Sequence, residues 1–167
     1  MPHEQLVEEF SMPIDPNTFP VSTITQFVGG DWGEDIFALA YLSGGAASSI
    51  TRIAESSTSY TLQNDYFPTR TTIYEGTGFT YDADGALTGT ITSITYMDGA
   101  TVLAVMSFEN LNAQTFDLAI NDMMLGDFAA FDAMFGSYQF VFDASSATGA
   151  VGGDFNVPGK VNVSGIT

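Results

Sequence analysis

Residues Glu75–Phe108 read EGTGFTYDADGALTGTITSITYMDGATVLAVMSF. β-Branched and aromatic residues flank Asp84-Gly85 and Asp98-Gly99, and each pair supplies the positive backbone dihedral that a tight hairpin turn requires. The stretch predicts three consecutive antiparallel strands joined by two tight turns. Its third strand, Thr101 to Phe108, is apolar on both faces: Val102, Ala104, Met106 and Phe108 on one, Leu103 and Val105 on the other. It is therefore expected in the middle of a sheet, covered on both sides.

Outward from this core, residues 46–75 are rich in Ser, Thr and Tyr and predict two or three strands with a break at Pro68. Val21 to Val28 favours a strand that Gly29-Gly30 would end. Asp31 is placed to cap a helix starting near Gly33, with Glu34 and Asp35 in its first turn, where the helix dipole favours acids, and Gly44 at its end. Residues 3–11 form a candidate acidic helix, and Pro13, Pro16 and Pro20 forbid regular structure after it. On the C-terminal side, Asn110 to Asn112 are expected as a loop. Two helices follow: Phe116, Ile120, Met123 and Met124 share one face up to Gly126, and Phe128, Phe131, Met134 and Phe135 share another up to Gly136. Tyr138, Phe140 and Phe142 then alternate as a strand. The Gly-, Ser- and Ala-rich tail has its most flexible piece expected at 144–154 and one extended stretch at Lys160 to Ile166.

The chain has 167 residues, of which 45% are apolar, with 14 Phe and 7 Tyr, enough to fill one core. Twenty acids stand against three bases, Arg52, Arg70 and Lys160, for a formal charge of -17. Nucleic acid and anionic lipid are repelled by such a surface. A saline or calcium-rich medium suits it, because cations screen the self-repulsion. Cysteine is absent, which excludes disulfides and thiolate metal sites. The start, MPHEQLVEEF, has neither the basic flank nor the apolar run of a classical secretory signal, and no segment has the roughly 18–20 apolar residues of a bilayer span.

GTITSITYMDG, then VLAVMSFENLNAQTF, then MMLGDFAAFDAMFGSYQFVFDAS resemble the haem-scavenging haemophores exported by type I secretion, and are similar to the non-repeat modules of type I-secreted repeat-in-toxin proteins. The resemblance covers about residues 75–145. It implies an α+β fold: a curved antiparallel sheet with helices packed on one face. It also implies a haem-ligating tyrosine just after a Gly-containing strand start, where Tyr81 falls. The family's supporting histidine has no counterpart among Asp82 to Thr88, and the chain's one histidine is His3.

Tyr81 is thus the candidate cofactor ligand, and an ordinary strand aromatic otherwise; iron ligation requires a phenolate, whose ordinary pKa near 10 must be lowered. Asp31, Glu34 and Asp35 are the candidate metal ligands, within a stretch that looks like a degenerate calcium nonapeptide; helix capping explains the same residues. Asp82-Ala83-Asp84-Gly85 echoes half a calcium loop and is equally a hairpin turn. No Ser, Cys or Lys constellation for nucleophilic catalysis can be assembled. The expectation is a single domain over 1–167, with an N-terminal arm at 1–20 and a tail at 144–167. It is a secreted, extracellular, non-enzymatic binding or structural module, exported without a cleaved N-terminal signal by a type I-like route. No cofactor is required, and the partner is a protein or small molecule, not nucleic acid and not a membrane interior. Haem binding through Tyr81 is the second reading. A carboxylate-based glycoside hydrolase is the third.

Overall fold

The computed structural model describes residues 20–31, 50–65, 67–81, 87–152 and 160–164. Strands β1 (Val21–Gln26), β3 (Ile50–Glu55), β4 (Ser59–Asn64), β5 (Arg70–Tyr81), β6 (Leu87–Asp98), β7 (Thr101–Asn112), β8 (Gln139–Asp143) and β10 (Lys160–Ser164) build one sheet in the order β10-β8-β1-β7-β6-β5-β4-β3. β2 (Val28–Asp31) and β9 (Thr148–Gly152) form a separate two-stranded parallel ribbon. Helices α1 (Ala113–Met124) and α2 (Ala129–Phe135) lie between β7 and β8 in the chain.

The fold is α+β, but its sheet is mixed. β3 to β7 are antiparallel to their neighbours and β1 is antiparallel to β7, whereas β8 runs parallel to both β1 and β10. This corrects the expectation of a purely antiparallel sheet. The parallel neighbours are far apart in the chain, β1 and β8 being separated by β2 to β7 and both helices, and β8 and β10 by β9, since no tight turn can link parallel strands.

β7 is central, with β6 on one side and β1 on the other. Asp98 pairs with Thr101, so the hairpin turns on Gly99-Ala100. Gly99 carries the positive φ of 58° and no non-glycine residue among those described has one, the pattern of a type II′ turn with Gly first. The turn expected at Asp84-Gly85 and the helices expected at 3–11 and from Gly33 to Gly44 fall outside the described residues; β5 and β6 pair antiparallel, with Tyr81 opposite Leu87.

Ala104, Met106 and Phe108 are buried on one face of β7 and Leu103 on the other, while Val105 is only half-buried. Covering on both faces is therefore incomplete. α1 packs on the first face, where Phe116 meets Tyr74 at 6.0 Å between ring centroids. Phe135 of α2 lies against Phe108, Phe116, Phe131 and Phe140.

Residues 110–112, expected as a loop, are the end of β7. Asn112 passes directly into α1, its side-chain oxygen accepting from Thr115 N at 2.9 Å, so strand and helix join through a cap and no loop is needed. Gly126, with φ of 90°, stops α1. Phe128 departs from its expected place in the core and is 45% exposed, because it precedes α2 and does not share the inward face of Phe131 and Phe135. Gly29-Gly30 lies inside β2 and does not end a strand there. The tail contributes β9 and β10, and the stretch expected as most flexible, 144–154, contains β9.

Candidate functional site

The sequence GTGFTY, residues 76–81, determines where Tyr81 sits. The β5–β6 ladder shifts register between Glu75 and Gly76 and again between Thr77 and Thr80. A Cβ at Gly76 would stand 1.9 Å from the Thr90 carbonyl oxygen, and one at Gly89 would stand 2.7 Å from that of Thr77. Only glycine permits this backbone approach, and Gly89 also takes a φ of 113°. The irregularity turns Phe79 inward, where it is 3% exposed and edge-on to Tyr60.

The β3–β4 turn folds against the same irregularity. Ser56 Oγ accepts from Thr58 N and Ser59 N, closing the turn locally. Ser57 O then accepts from Phe79 N at 3.0 Å, and Thr58 O from Gly76 N at 2.9 Å. Tyr81 is held by the turn in turn: its hydroxyl donates to Ser56 O at 2.9 Å. A phenol must keep its proton to make that bond.

Around Tyr81 the fold gathers Arg52 from β3, Tyr60 from β4, Tyr74 from β5 and Asp117 from α1. The Arg52 guanidinium carbon lies 4.8 Å from the Tyr81 ring centroid and 5.8 Å from that of Tyr60. Cation–π attraction of this kind contributes about 0.5–1 kcal/mol at a partly exposed site. Arg52 also pairs with Glu55 at 3.4 Å, an exposed contact of small energetic weight. Tyr60 and Tyr74 stack at 4.3 Å with an interplanar angle of 4°. Burial raises the pKa of both phenols, and the Asp117 charge raises it further. Burial also raises the pKa of Tyr81, against the lowering influence of Arg52. The Asp117 carboxyl is pushed up by burial and drawn partly back by Arg52. The phenols are thus all favoured in their protonated form, and the one guanidinium is engaged with rings and carboxylates.

Asp31 ends β2, opposite Gly152 of β9, and its side chain lies outside the described residues, as do Glu34 and Asp35 entirely. Among the described residues no group of three or more His, Cys, Asp or Glu is placed to hold a metal ion. Arg52, Tyr60, Tyr74 and Asp117 were not singled out as a site from the sequence. The available signal was one of three bases in the chain, followed by Tyr60, Tyr74 and Tyr81 in stretches that favour strands.

No protein-family model matches the chain, and no curated protein matches it. Among solved structures it resembles the haemophore HasA of Yersinia pestis. The apo form aligns with a TM-score of 0.46 and 11% identity over 68% of this chain and 85% of that one. The holo form aligns with a TM-score of 0.45 and 9% identity over 66% and 85%. The likeness is a weak one of chain course, and residue roles do not transfer across it.

Proposed function

We propose that this chain is a non-catalytic binding or structural module that works in the extracellular medium. The observation that carries the non-catalytic part is the state of the Tyr81 corner. Three phenols there are biased toward their protonated form, the Tyr81 hydroxyl is spent on Ser56 O, and Arg52 is paired. Such a set lacks the activated nucleophile and matched base that catalysis needs. The extracellular part rests on composition: a charge of -17, which a saline medium screens. No helix among the described residues is long and apolar enough to cross a membrane.

Recovery of the chain from the culture medium of its native host is the expected result. Finding it only inside cells would refute the reading.

A second reading, haem held by Tyr81, draws support from one observation: the Arg52 guanidinium beside the ring favours a phenolate. It requires breaking the bond to Ser56 O. Under the first reading, haemin added to the protein gives no Soret band that depends on Tyr81. A band present in the wild type and lost in Tyr81→Phe would replace the first reading with the second. Calcium held by Asp31, Glu34 and Asp35 remains a separate proposal, tested by the rise in melting temperature with millimolar calcium at matched ionic strength.

A further inference from the structure

The corner between α1 and α2 presents large apolar side chains to water. Leu125 is 87% exposed, Leu118 57% and Phe128 45%. Isolated exposed leucines are ordinary, but Leu125 and Phe128 stand three residues apart in the turn just beyond α1, with Leu118 midway along that helix. The corner is also tightly built. Leu125 N and Asp127 N both donate to Asp122 O, at 3.0 and 2.9 Å, and Gly126 supplies the left-handed turn. Asp127 Oδ1 accepts from Ala129 N at 3.0 Å, and Asp132 N donates to Phe128 O at 2.8 Å. Leu125 and Phe128 are therefore displayed by an ordered backbone, which reduces the ordering cost of binding.

Charge decides what fits there. Asp122 on α1, Asp127 in the connection and Asp132 on α2 are all exposed, and residues 113–136 contain no Lys, Arg or His. An apolar centre with a wholly acidic rim complements a segment whose apolar residues are flanked by cations. A second copy of this chain would bring acidic rim against acidic rim at a charge of -17 each. An anionic lipid surface is repelled for the same reason.

We propose that the α1–α2 corner is a docking site for a cationic amphipathic polypeptide segment, with Leu125 and Phe128 as its apolar anchors and Asp122 and Asp132 steering the approach. This goes beyond the general reading as a binding module and uses a surface separate from the Tyr81 corner, so either can fail without the other.

The test uses the full chain and a synthetic leucine–lysine peptide that forms an amphipathic helix, with a serine–lysine peptide of equal charge as control, by calorimetric titration in about 0.15 M salt, where screening acts within roughly 8 Å. The leucine–lysine peptide is expected to bind, and Leu125→Ser with Phe128→Ser to weaken it tenfold or more at an unchanged melting temperature. Asp122→Asn with Asp132→Asn should weaken it severalfold and flatten its salt dependence. Because the anchors are exposed, the serine variants should fold; Leu125→Ser alone, expected to weaken binding severalfold, serves if the double variant does not. Equal affinity for both peptides, or no loss in the serine variants, would overturn the proposal in favour of diffuse charge attraction. A dimer of the wild type that the serine variants dissociate would overturn it in favour of self-association, and binding of neutral phosphatidylcholine vesicles without peptide binding in favour of a lipid surface.

Discussion

The two faces of the large sheet are made by the same strands from alternate residues, yet they differ completely. The face under α1 and α2 carries Tyr60, Tyr74, Ile94, Tyr96, Met106, Phe108, Phe140 and Phe142, all buried. Across the opposite face runs a ladder row, Asp143–Thr25–Val105–Thr95–Ile73–Thr61, whose members are half-buried. The neighbouring row contains Ser107, Ser93, Glu75 and Ser59, with Ser93 Oγ donating to Glu75 at 2.9 Å. The helix-covered face gathers aromatic volume because it is packed. On the other, short β-branched and hydroxyl side chains suffice, since they favour the strand and satisfy themselves locally or with water. The difference teaches that stability should reside on one face, and the same kind of substitution should read differently on each.

The largest effect is expected at Phe135, 1% exposed and ringed by four aromatic neighbours. Phe135→Ala should cost about 3–5 kcal/mol in chemical denaturation, the range for emptying a large aromatic site in a core. Thr95→Ala, at the centre of the open face, should cost under about 1 kcal/mol, the scale of one cross-strand pair. Comparable losses from the two would erase the distinction between the faces.

A gain is expected from Thr72 on the packed face. Its hydroxyl is fully buried with no hydrogen-bond partner among the described residues. Thr72→Val should therefore stabilise the chain by roughly 1 kcal/mol, through removal of an unsatisfied polar group. A loss from this change would mean that the hydroxyl has a partner, such as a buried water, and that the packed face is less dry than the aromatic layer implies.

The smallest effect concerns Asp117, where the helix layer meets the tyrosine corner. Its pKa is raised in the folded state, burial being the main cause and Arg52 partly opposing it. The stability such a group contributes is full below the unfolded carboxylate value of about 4 and is lost as pH rises through the raised folded value. Asp117→Asn should accordingly raise the melting temperature at neutral pH, and the gain should vanish in acid. An equal gain at both pH values would show that packing, and not the buried charge, is responsible.

How much of this was legible varies with distance along the chain. Asp98-Gly99 was readable as a turn because the requirement is local, though the pairing centres it on Gly99-Ala100. β7 was readable as central because its residues are apolar on both faces. Asn112 was misread as loop, since Asn is equally a turn residue and a helix cap, and only the strand before it and the helix after it discriminate. Phe128 fell on an apolar helical spacing, yet the turn at Gly126 starts α2 beyond it. The Tyr81 position was recognised from its Gly-containing context, but not its surroundings.

By itself the sequence determined the hairpin between β6 and β7, the central strand and the two amphipathic helices. Each rests on periodicity or turn chemistry within a few residues. Tertiary structure alone decided that β8 lies parallel to β1, and that Arg52 is laid on the Tyr81 ring while the Tyr81 hydroxyl donates to Ser56 O. These join segments far apart in the chain, and contacts of that kind follow from which surfaces remain to be buried after the local elements have formed, a quantity no short window of residues contains.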